Sequence, residues 1–61
     1  MKFKIEIECN NAAFGDLPGF EVARLLRGVA DEVDERDILP GETGPLRDYN
    51  GNRVGFYRAA G

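Results

Sequence analysis

One stretch decides what this chain can fold into. From Pro18 to Arg36 it reads PGFEVARLLRGVADEVDER. Val22, Leu25, Leu26, Val29, Ala30 and Val33 recur there at the three- and four-residue spacing that gathers apolar side chains on one face of an α-helix. The whole chain has 61 residues, and the segments flanking this helix are too short to form cores of their own. The expectation is a single domain over residues 1–61, in which a small sheet covers the helix.

The flanks supply that sheet. Between Lys2 and Cys9, Phe3, Ile5, Ile7 and Cys9 alternate with Lys2, Lys4, Glu6 and Glu8, the pattern of a strand with one face on a core and one in water. Residues 10–17 (NNAAFGDL) have no period and read as a loop, with Phe14 plugging the end of the core and Asp16 capping the helix ahead of Pro18. Gly28 weakens the helix or marks a close backbone approach. After it, Asp31, Glu32, Asp34, Glu35 and Asp37 form an acidic end, offset in part by Arg27–Asp31 and Glu32–Arg36 at four-residue spacing. In DILPGETGP, Ile38 and Leu39 fold back over the core and the Pro and Gly residues break regular structure.

LRDYNGNRVGFY carries Asn50-Gly51 between two strand-like runs, a hairpin signature. A three-residue loop, Tyr49-Asn50-Gly51, sets Leu46 opposite Val54, with Asp48 opening a type I turn and Gly51 left-handed. Leu46, Val54 and Phe56 are then expected to face the helix, and Arg47, Arg53, Gly55 and Tyr57 to face outward. The fold class is α+β: strand, helix, strand, strand, as a three-stranded antiparallel sheet in the order 1-3-2, packed on one face by a single helix. The expected core is Phe3, Ile5, Ile7, Val22, Leu25, Leu26, Val29, Val33, Leu46, Val54 and Phe56. It is small, and the lone Cys9 can form no internal disulfide, so a homo-oligomer is expected to supply the missing support.

Chemistry is conspicuous by its absence. The chain contains no His, Ser, Trp or Gln, so neither Cys9 nor Thr43 has the base an activated nucleophile requires, and no catalytic residues, metal ligands or cofactor are expected. Carboxylates on an exposed helix lack the desolvated pocket that acid and base work needs. A net charge of −3 argues against direct nucleic-acid binding. No run is apolar enough to span a bilayer, and the opening alternates charge with hydrophobe, so a cytoplasmic protein without membrane association is expected. Two candidate surfaces remain. Arg47, Arg53 and Tyr57 put cations beside an aromatic ring, suited to a small nucleotide at a subunit junction. Asp31, Asp34 and Glu35 offer an acidic partner surface that imitates nucleic-acid phosphates.

MKFKIEIECNNAAF at the start, EVARLLRGVADEVDE in the helix and GPLRDYNGNRVGFY at the end resemble a group of very small, largely uncharacterised proteins encoded by bacteriophages, prophages and plasmids. These share an EC-N-AAF strand end, an amphipathic helix and an LRD-NGN-VG hairpin. The resemblance implies a genetic setting in which small proteins act by stoichiometric binding, for instance blocking a host defence complex or sequestering its nucleotide signal. The leading expectation is therefore a non-enzymatic, homo-oligomeric protein that binds a host macromolecule and counteracts host defence.

Overall fold

A computed structural model describes all 61 residues. Strand β1 (Lys2–Ile7) leads through a one-turn 3-10 helix (Ala12–Phe14) to helix α1 (Pro18–Arg36), followed by β2 (Thr43–Arg47) and β3 (Arg53–Ala60). The sheet is antiparallel in the order β1-β3-β2. The last strand in sequence thus lies in the middle, as the sequence predicts. Strand β1 ends two residues before Cys9, whose thiol is exposed rather than part of the apolar face.

The helix spans the expected residues, but its caps differ. Leu17 takes the N-cap position and no side chain bonds the free amides there, so Asp16 does not cap the helix. Pro18 in the first turn lacks an N–H, which leaves one donor fewer to satisfy. At the other end Asp37 sits at φ 61°, ψ −178°, a region almost reserved for glycine. Its own carboxylate accepts from Ile38 N–H at 2.8 Å and so partly offsets the strain. The chain then reverses through Leu39-Pro40-Gly41-Glu42, where Glu42 N–H bonds the Leu39 carbonyl at 3.1 Å and Gly41 supplies φ 95°. Pro before a left-handed Gly is the composition of a type II turn. Ile38 packs against the core while Leu39 stays exposed.

The hairpin turn forms as predicted. Gly51 N–H donates to the Asp48 carbonyl and Asp48 N–H to the Asn52 carbonyl, both at 2.9 Å, with Gly51 at φ 87°. The facing of β3 does not follow. Arg47 pairs with Arg53, yet Leu46 pairs with Gly55 rather than Val54, so β3 carries one extra residue. A bulge of this kind reverses the side-chain alternation beyond it. Tyr57 and Ala59 therefore lie inside, 4% and 1% exposed, and Phe56 and Arg58 lie on the outer face.

Gly55 is the reason the bulge is tolerated. A Cβ there would run into the Glu6 carbonyl oxygen and come within 3.0 Å of the Ile7 Cα. Gly44 serves the neighbouring side chain, since the Tyr57 ring lies over it, 2.5 Å from where a Cβ would stand. The same ring meets Phe3 with centroids 5.7 Å apart, so Tyr57 spans the inner face from β1 to β2. The buried cluster is Ala13, Phe14, Leu25, Val29, Leu46, Val54 and Tyr57, flanked by half-buried Ile5, Ile7, Val22, Val33 and Ile38. Phe14 plugs the core as expected, whereas Phe3 and Leu26 remain 39% and 42% exposed. Gly28 faces open space.

Two stability measurements follow from these backbone constraints. Gly55→Ala should lower the unfolding free energy by about 2 kcal/mol or more in urea titration, because the strand backbone itself must move. Asp37→Gly should raise it by about 1 kcal/mol, through relief of the positive φ and of a carboxylate at the helix C-terminus.

Candidate functional site

A buried polar network positions the surfaces that are free to act. Glu21, on the same helix face as Leu25 and Val29, is 1% exposed. Its carboxylate accepts from Arg24 Nε at 2.7 Å, Arg24 Nη2 at 2.8 Å and the Tyr49 N–H at 3.0 Å. Arg24 reaches on to the Arg47 carbonyl at 3.2 Å. Asp48, also buried, accepts from Asn50 N–H and Asn52 N–H at 2.9 Å and from Asn11 Nδ2 at 2.7 Å. The Asn11 Oδ1 in turn accepts from Ala13 N–H at 3.0 Å. Two buried carboxylates thus bind the helix start, the 3-10 turn and the hairpin tip into one unit, with every buried side-chain polar atom partnered.

The bonds leave their mark on ionisation. The Arg24 guanidinium holds Glu21 below its ordinary value of 4.5 against the opposing effect of burial, and the Tyr49 N–H adds to this. Burial by itself would raise Asp48, but the Asn52, Asn11 and Asn50 donors outweigh it and hold the group below 3.8. Burial pushes the Tyr57 phenol above 10.0, and the facing Glu32 carboxylate adds to the shift.

The network ties the helix start to the hairpin tip on the inner side of the sheet, and the opposite, outer face is largely exposed. Strand pairing arranges that face in rows: Lys2 beside Ala60, then Lys4, Arg58 and Thr43, then Glu6, Phe56 and Pro45, then Arg53 and Arg47. Five of the eight cations of the chain lie here, against only Glu6 and Glu8 of its eleven acidic residues. The three ion pairs of the molecule, Arg24–Glu21, Arg36–Glu32 and Arg36–Glu42, all lie elsewhere. A chain of net charge −3 therefore carries one positive face and one strongly negative side. Beside the bulge a shallow groove of about 470 Å³ is lined by Glu6, Glu8, Asn10, Asn11, Arg53 and Phe56, among others.

Of the residues singled out from sequence, Arg47 and Arg53 stand side by side and exposed. Tyr57 does not join them, because the bulge turns it beneath the helix, where it cannot stack on an outer-face ligand. Phe56 stands in its place, half-buried between the two cationic rows. Asp31, Asp34 and Glu35 are exposed on the helix and make no ion pair, and Arg27 forms no bridge to Asp31. The sequence reading passed over Glu21 and Arg58. Both carried a signal: Glu21 lies in step with Leu25 and Val29, and Arg58 two residues from Phe56 marks that side of the strand as the wet one. No helix is long and apolar enough to cross a membrane.

The depressed carboxylates fix the sign of the acid response. Groups whose folded pKa lies below the unfolded value contribute stability at pH above about 4.5, and that contribution is lost as pH falls through the folded values. The melting temperature should fall between about pH 5 and pH 2, and Glu21→Gln combined with Asp48→Asn should flatten that dependence while lowering stability at neutral pH. No protein-family model, curated protein or solved structure matches the chain.

Proposed function

We propose that this is a small non-enzymatic interaction protein of the phage or mobile-element type, a homo-oligomer that binds an anionic region of a host macromolecule and thereby counteracts host defence. The outer sheet face carries the reading. Five cations stand there without carboxylate partners, around a half-buried Phe56, on a protein that keeps nine of its eleven acidic residues elsewhere. Unpaired Arg beside an aromatic anchor is the composition that gives an interface its binding energy, and segregated charge steers the encounter with a complementary partner. The residue types absent from the sequence support stoichiometric binding over turnover.

A nucleotide ligand is the second reading, favoured by the groove in which Arg53 and Phe56 lie together. A base would stack on the ring and a phosphate would pair with the guanidinium. One set of variants separates these readings. Arg53→Glu with Arg58→Glu should abolish capture of the host partner, whereas Asp34→Lys with Glu35→Lys should leave it intact; the reverse result would move function to the acidic helix end. Titration with mononucleotides that saturates, and that Phe56→Ala weakens about tenfold or more, would favour the nucleotide.

A further inference from the structure

We infer that the open edge of β1 is a docking site for a second copy of this chain, the two β1 strands pairing antiparallel about a two-fold axis at Ile5 to make one six-stranded sheet. The inference rests on the self-association in the functional reading above and specifies its geometry.

The backbone selects this edge. Glu8 N–H donates to the Val54 carbonyl at 2.8 Å, so the even-numbered residues of β1 turn their backbone groups toward β3. By the alternation of an antiparallel ladder, those of Phe3, Ile5 and Ile7 project from the free side. The opposite edge is blunted. Glu6 and Phe56 pair with their backbone groups toward each other, so the nitrogen of Pro45, across from Phe56, points away from the sheet and has no proton to donate.

Charge selects the register. With Ile5 opposite the partner's Ile5, Phe3 falls opposite the partner's Ile7, and these pairs exchange backbone hydrogen bonds. Lys4 then falls opposite the partner's Glu6 and Lys2 opposite the partner's Glu8, in the pairs where side chains stand closest. Sliding the strands by two residues, the smallest shift that keeps the faces matched, sets Lys4 against the partner's Lys4, or Glu6 against the partner's Glu6. KFKIEIE is complementary to itself read backwards, in charge on one face and in apolar character on the other.

An uncovered apolar seam borders this edge, while Leu17, Phe20 and Leu39, more exposed still, stand away from it. Phe3 and Leu26 are 39% and 42% exposed, and Ile5, Ile7, Val22 and Val33 are only half-covered. All lie on the inner face of β1 or on the helix flank turned away from the Arg24 and Glu21 contacts with the hairpin. Pairing through β1 would close this seam with its own copy from the partner. It would also engage Lys2, Lys4, Glu6 and Glu8, leaving Arg47, Arg53, Arg58 and Phe56 of both copies on one continuous outer surface.

The test is sedimentation of the full chain and of charge-swapped variants, with circular dichroism confirming that each is folded. Wild type is expected at twice 6.7 kDa. Lys4→Glu and Glu6→Lys should each weaken the dimer about tenfold or more, the double variant should restore it, and a mixture of the two single variants should form the heterodimer. A wild-type monomer at all concentrations would overturn both the docking site and the self-associating reading. A dimer indifferent to either single change, or one the double variant fails to restore, would overturn this interface alone.

Discussion

A single buried carboxylate determines how this small protein is put together. Glu21 accepts bonds from Arg24 and from the Tyr49 backbone, and a carboxylate so enclosed is tolerable only with its full set of donors in place. The clamp ties the first turns of the helix to the hairpin tip, while on the inner face of β1 Ile5 and Ile7 stay half-buried. Phe3 and Leu26 are more exposed still.

The second constraint is the Val54–Gly55 bulge. It lets β1 pass close to β3 where a side chain would collide with the Glu6 carbonyl, and it decides which aromatic residue faces the core and which faces solvent. Through it Tyr57 becomes the ring that spans the inner face over Gly44, and Phe56 becomes the one aromatic residue among the outer cations. Chemistry at the surface here depends on a one-residue irregularity in the backbone. The resulting asymmetry of charge is large for so short a chain, and the net value of −3 conceals it.

The helix, the three strands, their order and the sheet topology were legible in the sequence, because periodicity and the Asn50-Gly51 turn are local signals, whereas the 3-10 turn at Ala12–Phe14 lies in a stretch that reads as loop. The facing of β3 was not. A regular alternation from the turn onward puts Phe56 inside, and only the isolated Gly55 and the position of Arg58 speak against it. Glu21 was passed over because a charged residue in step with Leu25 and Val29 reads as the margin of an apolar stripe; of its two partners Arg24 lies 3 positions away in sequence and Tyr49 lies 28. For the candidate site, Arg47 and Arg53 were found and their neighbour was not. The same shift of one residue accounts for the mistaken Tyr57.

The central place of β3 also governs the order in which the fold can assemble. Strand β2 joins β3 through a three-residue loop, so the hairpin forms by a short closure. Strand β1 must find β3 across the whole intervening chain, Lys2 meeting Ala60 and Ile7 meeting Gly55, at a greater entropic cost. Opening of β1 alone would bare the row of backbone groups along β3 to which it is bonded, and would leave the β2–β3 hairpin intact.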